Sequence, residues 1–390
     1  MNNLCTDAGY LSINKHGEQL CGDHVEIVEG NDNSIVLVLA DGLGSGVKAN
    51  ILSTLTSKII STMMASHMSI EDCVTTVAST LPVCEKRGIA YSTFTIIHVV
   101  DNKTAKVIQY DNPQVILLRD GLNCEYEMTS IQIGDKTIYQ STIDLFPGDI
   151  LVAMSDGAVY AGVGKKFNFG WQRKNIVEFL EIAYENHFSS KMLSTILLEQ
   201  CAQLYGGVPG DDTTIAAIKI RERKQINLLI GPPSHSNDLT TMLNLFFSQE
   251  GKHIVCGGTT SSLAAEYLGK EIKTDLEYQD PEIPPLSQIE GVDLVTEGVI
   301  TINRVLYYAK NYLEDNTCYL EWNYRKDAAS RIAKLLFEEA TDINFFVGRA
   351  INPAHQNPNL PISFSIKMRL IDELSDCLHK MGKRIEVSYF

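Results

Sequence analysis

The sequence contains no long hydrophobic run. Its best is Ile35–Ala40, far short of the 18 or more consecutive apolar residues of a membrane span. It also has no C-x-x-C pair. The nine cysteines (5, 21, 73, 84, 124, 201, 256, 318 and 377) are odd in number and dispersed, which fits free thiols in a reducing compartment better than a disulfide frame or a zinc site. The first ten residues, MNNLCTDAGY, lack a basic stretch followed by an apolar one, so no secretory leader is expected and a cytoplasmic location is. Positive charge is scarce: 33 Lys+Arg against 48 Asp+Glu leave a net charge of −15. A field of that sign repels phosphate backbones and anionic bilayers, so neither nucleic acid nor membrane is an expected partner.

What remains is an ordinary globular composition, 44% hydrophobic and 21% charged over 390 residues. That length suggests two domains. In the first part, Ser34–Ala40 is an apolar run of strand length stopped by Asp41-Gly42. From Gly46 to about Ala65, apolar residues recur at three-to-four spacing, which predicts a helix buried on one side. Ser69 and Asp72 resemble a capping box for a second helix running to about Cys84. Tyr91–Val100, Ala105–Tyr110, Val115–Arg119 and Cys124–Met128 read as strands with turns between them, followed by a buried-type strand at Asp149–Ser155. Helices are expected near Arg173–Asn186 and Ser189–Leu204, and Thr213–Ile220 is a last strand. Helices set between strand clusters with hairpin connections predict an α+β layered sandwich.

The polar stretch Arg221–Gln225 is a plausible boundary, giving domains 1–222 and 223–390. Beyond it the order strand, small-residue turn, helix repeats. Ile226–Ile230 leads through Gly231-Pro232-Pro233 to a helix from about Asn237. His253–Cys256 leads through Gly257-Gly258 to a helix ending at Leu268, and Val292–Val295 precedes a helix near Gly298. This predicts a smaller α/β domain with a mainly parallel sheet. Lys326–Glu339 and Ser363–Met381 read as further helices, with loops at Tyr278–Pro285 and Asn352–Pro361, the latter holding His355.

Three acidic sites share one local setting. Asp41 follows a buried strand and opens DGLGSG, Asp156 follows a buried strand in SDG, and Asp211 and Asp212 sit in GDD just before a buried strand. Asp23, in CGDH, is a fourth. Any one Asp-Gly is most simply a turn. As an ordered set at the ends of core strands, however, these acids can converge on one rim, where a multivalent cation would offset their repulsion. All-oxygen donors without Cys or His predict a hard ion, Mn2+ or Mg2+. A dinucleotide fingerprint is disfavoured, because the glycine spacing is G-x-G-x-G and no acid follows until Glu71.

At these residues the sequence resembles a known family. VLADGLGSGVKAN, YSTFTIIHV, NPQVILLRDG, DILVAMSDG and GDDTTIAAIKI resemble the metal-dependent PPM-type serine/threonine phosphatases, in the branch of the stage II sporulation protein E (SpoIIE) phosphatase. The resemblance covers roughly residues 1–222. It implies a PPM-type β-sandwich flanked by helices, two Mn2+ or Mg2+ ions, and hydrolysis of phosphoserine or phosphothreonine on a phosphorylated protein substrate by metal-activated water. Carried over by position, Asp41 is the acid bridging both ions and Gly42 offers a backbone carbonyl. Asp156 and Asp211 resemble ligands, and the resemblance makes Asp23 and Asp212 alternate ligands or acids that act through metal-bound water. Two ions 3.5–4 Å apart bring the pKa of a shared water towards ~7. No cysteine nucleophile is needed, so Cys21 and Cys84 are read as ordinary buried thiols, and His24 as structural or surface rather than as a group orienting a metal water. The sequence departs from the eukaryotic branch twice: Leu43 stands where a His often follows Asp-Gly, and the first arginine is Arg87, so an early phosphate-binding Arg has no counterpart.

The second domain resembles no family that supplies an activity. Gly257, Gly258, Thr259 and Thr260 place small residues and hydroxyls at a strand-to-helix turn, a candidate site for a small anionic ligand, though without the lysine of a P-loop. The competing function is therefore a non-catalytic sensor whose C-terminal domain binds such an anion.

Overall fold

The computed structural model describes residues 3–30, 34–80, 92–134, 136–274, 280, 282–350 and 362–390. The chain divides into two compact units, Met1–Glu222 and Arg223–Phe390. The first unit runs β1 (Leu4–Ile13), β2 (Asp23–Glu29), β3 (Ile35–Gly42), α1 (Gly46–Ala65), α2 (Ile70–Thr80), β4 (Ser92–Val100), β5 (Thr104–Tyr110), β6 (Ile116–Arg119), β7 (Leu122–Asn123), β8 (Thr129–Ile133), β9 (Lys136–Asp144), β10 (Ile150–Met154), α3 (Asp156–Tyr160), α4 (Arg173–Ala183), α5 (Ser190–Leu204) and β11 (Thr213–Glu222). Its strands form two antiparallel sheets, β2-β3-β4-β5-β9-β8 and β1-β11-β10-β6-β7.

The continuous apolar run of β3 makes sense once both faces are buried. Leu37 and Leu39 point into a core shared with Leu151, Ala153, Ala216 and Ile218 of the other sheet. Val36 and Val38 point the opposite way, onto Leu52, Ile60 and Met64 of α1 and Val74 and Val77 of α2. On the far side, Ile176 and Leu180 of α4 and Leu193, Leu197 and Cys201 of α5 cover Ile150, Val152, Ile215 and Ala217. The result is a helix/sheet/sheet/helix sandwich. Each fully buried Leu or Ile in it contributes about 2 kcal/mol.

The capping box forms: Asp72 N–H donates to Ser69 Oγ at 3.1 Å, and Ser69 Oγ donates to Asp72 Oδ2 at 2.9 Å. Ser69→Ala should lower unfolding free energy by about 1 kcal/mol, read as a smaller urea midpoint with unchanged slope. An unchanged midpoint would show that the cap contributes nothing.

Some expectations need correction. Cys124–Met128 is not a strand; Cys124 and Tyr126 pack on the inter-sheet core, and pairing is made instead by β7 and β8 on either side. The helix begun at Arg173 stops at Ala183, three residues early, with Tyr184 extended. Strands β1, β2, β8 and β9 had no sequence assignment. The second helix is described to Thr80. Residues 81–91, with Cys84 and Arg87, lie outside the described residues.

The second unit runs β12 (Gln225–Ile230), α6 (Leu239–Phe247), β13 (Lys252–Cys256), α7 (Gly258–Leu268), β14 (Lys273–Thr274), β15 (Ser287–Gln288), β16 (Leu294–Thr296), α8 (Val299–Leu313), α9 (Tyr319–Tyr324), α10 (Ala328–Lys334), β17 (Asp342–Val347), α11 (Ile362–Lys380) and β18 (Arg384–Tyr389). The order β14-β15-β16-β13-β12-β17-β18 is parallel from β16 to β18, with an antiparallel edge at β14 and β15. The single helix expected over Lys326–Glu339 starts only at Ala328, where the Asp327 carboxylate caps Ser330 N–H at 3.0 Å. It then widens into a π-helical turn at Leu335–Glu339, whose end is held by Lys383 Nζ donating to Phe337 and Ala340 carbonyls at 2.7 and 2.8 Å. Strands β17 and β18 were also unassigned. The loop at 352–361, with His355, and Tyr278, Gln279 and Pro281 lie outside the described residues. Among the described residues no helix is long and apolar enough to cross a membrane.

Candidate active site

Two strand ends in each sheet carry the acids. In the six-stranded sheet, β2 begins at Asp23 and β3 ends at Asp41-Gly42, and the antiparallel register sets Asp23 opposite Asp41. Gly42 N–H extends this pairing by donating to Gly22 O at 3.1 Å. In the five-stranded sheet, Asp156 opens α3 just after β10, and Asp211-Asp212 lead into β11. Ser155 and Thr214 bind these two segments together: Ser155 N–H donates to Thr214 O at 3.0 Å, and Thr214 N–H to Ser155 Oγ at 2.9 Å. The two rims touch at Gly22, where a Cβ would stand 2.7 Å from Asp212 Oδ2. Glycine at 22 is what allows the Asp23 segment to approach that carboxylate.

The acids perturb one another. The Asp41 carboxyl is pushed well above the usual carboxylate range, first by burial and then by the charges of Asp23, Asp156 and Asp211. Asp23 is 3% exposed and is likewise pushed up, by burial and by Asp212, against the opposing pull of the Ser155 and Thr214 hydroxyls. Neither Asp23 oxygen has a hydrogen-bond partner. Asp156 is raised by burial and by Asp211, and also by Asp111, an acid with no sequence signal linking it to the set.

Among the described residues no three Asp, Glu, His or Cys side chains are already closed around one ion-sized point. The acids are neighbours across the rim. The donor set nevertheless suits a hard divalent cation. It consists of oxygen donors alone, and three of its buried oxygens, both of Asp23 and Oδ2 of Asp212, have no partner. Leaving buried carboxylate oxygens unmatched costs several kcal/mol, and an ion removes that cost.

Asp211 and Asp212 differ in exposure. Asp212 is the buried one, 4% exposed, with Oδ1 accepting Lys15 N–H at 2.9 Å, whereas the Asp211 side chain is 40% exposed. Lys15 itself carried no sequence signal, since it lies 197 residues from Asp212 in the chain. Leu43 is exposed at the same strand end and offers no proton. Cys21 is half-buried rather than buried, and its thiol is pushed up by burial and by Asp23, so it stays protonated. His24 turns to α1, with Nδ1 at 2.8 Å from Ser57 Oγ.

In the second unit, Gly257 takes φ +113° and α7 begins at Gly258 with no side-chain cap. Thr260 is buried and spends its hydroxyl accepting Gly231 N–H at 3.0 Å, while Thr259 is exposed. The Glu297 carboxylate lies 3.4 Å from where a Gly258 Cβ would be. The turn therefore holds β12 to α7 and has an acid beside it.

Residues 31–221 match the family model of stage II sporulation protein E (SpoIIE). Among solved structures, the phosphatase domain of SpoIIE from Bacillus subtilis, in a crystal form without domain swapping, is 18% identical, with 57% of this chain and 95% of that one covered and a TM-score of 0.45. The PP2C phosphatase domain of the same protein with a fragment of its regulatory domain is 20% identical, with 57% and 64% covered and a TM-score of 0.49. The RsbU and RsbW domains of a Mycobacterium tuberculosis protein are 14% identical, with 84% and 79% covered and a TM-score of 0.49. No curated protein matches the chain.

Proposed function

With residues 31–221 matching the SpoIIE family as premise, we propose that the protein is a divalent-metal-dependent phosphatase that hydrolyses phosphoserine or phosphothreonine on a protein. The observation that carries this reading is the placement of Asp23, Asp156 and Asp211 within electrostatic reach of Asp41 at one rim of the sandwich, with buried carboxylate oxygens unmatched. Asp41, Asp156 and Asp211 would hold two Mn2+ or Mg2+ ions, joined by the Gly42 carbonyl and by Asp23 or Asp212. Bound there, such ions supply the positive charge that acidifies water and offsets charge developing on phosphorus.

The chain's own residues do the rest. Ser155 and Thr214 fix the Asp156 and Asp211 segments side by side, so the acids are positioned before substrate arrives. Water attacks phosphorus in line as the bond to the serine or threonine oxygen breaks, and the proton the water loses balances the one the departing oxygen gains, giving phosphate and the free hydroxyl. The covalent alternative lacks support from Cys21, whose protonated, half-buried thiol is a poor nucleophile.

The test uses the full chain with a phosphoserine peptide and an aryl phosphate. Hydrolysis should require Mn2+ or Mg2+, stop with EDTA and return on adding metal. A sensor module would instead show no metal-dependent stabilisation and no turnover, and a metal-saturated protein inert to both substrates would rule the phosphatase out.

A further inference from the structure

In an open parallel sheet, ligands settle beyond the carboxyl ends of the strands, where the order of connections reverses. In the second unit that point lies between β12 and β17. The chain leaves β12 for β13 to β16 on one side and returns to β17 on the other. A charged side chain is buried there. Lys367 of α11 is 8% exposed, and its ammonium donates to the carbonyl oxygens of Gly348, just past β17, and of Ala350, the latter at 3.5 Å. Gly231, just past β12, leaves it room, since a Cβ there would stand 2.5 Å from Lys367 Nζ. Arg349, between Gly348 and Ala350, is exposed, and its guanidinium lies 5.0 Å from the centre of the Tyr389 ring.

Among the described residues no carboxylate pairs with either cation. The two segments that meet here are also free of acids in sequence: residues 223–237 and 343–371 contain no Asp or Glu, although the chain has 48. Asp372, the first acid beyond, accepts the Tyr389 hydroxyl at 2.9 Å. The main-chain amides of the edge are spent, Gly231 N–H on Thr260 Oγ1, Ala350 N–H on Pro232 O and Arg349 N–H on Phe390 O. What the edge offers a ligand is therefore side-chain positive charge. We propose that the second unit binds a phosphate-bearing small molecule at this β12/β17 edge, its dianionic group held by the Lys367 ammonium and the Arg349 guanidinium. An ammonium has three N–H groups, and the two carbonyls leave one for an oxyanion. A guanidinium presents a fork that matches phosphate geometry. Burial pushes the Lys367 pKa down, and a bound anion is the counter-charge that would oppose this. The Gly257 turn, with Glu297 beside Gly258, is the poorer receiver.

This site does not depend on the phosphatase reading, and the test keeps the two apart. The full chain is held in EDTA, where the metal-free acidic rim repels phosphate. The parent, Arg349→Gln and Lys367→Met are titrated by calorimetry with inorganic phosphate, adenosine monophosphate and succinate. The parent should bind phosphate saturably at a single site, and each variant should bind it about tenfold or more weakly. Adenosine monophosphate binding above the phosphate level would place the group on a larger molecule; equal binding would point to free phosphate, and either result supports the site. Because Arg349 is exposed, Arg349→Gln keeps the fold and decides the matter even if Lys367→Met fails to fold. Three results would each overturn the assignment: no saturable phosphate binding by the parent, affinity in Arg349→Gln within about twofold of the parent, or succinate bound more tightly than phosphate.

Discussion

Asp41→Asn should reduce metal-dependent hydrolysis by about a thousandfold or more while leaving the metal-free protein at least as stable as the parent. The combination is diagnostic, because most buried substitutions lower both. Asp41 sits opposite Asp23 and feels Asp156 and Asp211, so without a cation its charge is a liability. Asparagine keeps the shape, removes the charge and offers an Nδ2–H to Asp23, whose oxygens have no partner. The parent should gain melting temperature with Mn2+ and the variant should gain little or none, since ligand stabilisation follows affinity. A variant that melts well below the metal-free parent would mean that Asp41 is mainly a structural residue.

The second large effect is expected at the next residue. A Cβ on Gly42 would lie 2.2 Å from the carbonyl oxygen of Ala49 and 2.7 and 2.9 Å from its carbonyl carbon and Cα. All three are backbone atoms of α1, which cannot swing aside. Gly42→Ala must therefore lift α1 away from β3, against the buried contacts of Leu52, Ile60 and Met64 with Val36 and Val38. The expected cost is about 3 kcal/mol, measured by urea unfolding, with activity falling as the Asp41 strand end shifts. Stability within 0.5 kcal/mol of the parent would show that the strand-to-helix turn has slack that this geometry does not display.

How much of this could be read from residues alone depended on burial. Strands covered on both faces, such as β3, β10 and β11, are continuous apolar runs, and their ends carry Asp41, Asp156 and Asp211-Asp212 in plain view. Edge and hairpin strands were not legible. Strand β1 is mostly half-buried, and β8 is exposed or half-buried throughout, so neither shows a clean alternation. Strands of two residues, such as β7 and β14, exist only because a partner pairs with them. The β17 segment, by contrast, carried a signal in Ile343, Phe345, Phe346 and Val347, all of which are buried.

The site divides in the same way. Motif position singles out Asp211 and says nothing of burial, which falls on Asp212 because Lys15 N–H and Gly22 close over it. Lys15 and Asp111 were invisible because loops far off in the chain bring them to the rim, with no spacing to announce them. The order of strands in a sandwich is what makes such residues neighbours, and periodicity does not encode that order.

Calorimetric titration of Mn2+ into the full chain and into Asp41→Asn tests the central claim most directly, because it asks whether the gathered acids bind metal at all. The account predicts two ions bound per parent chain, with affinity reduced by about a hundredfold or more in the variant. No binding to the parent, or binding that Asp41→Asn leaves unchanged, would contradict it.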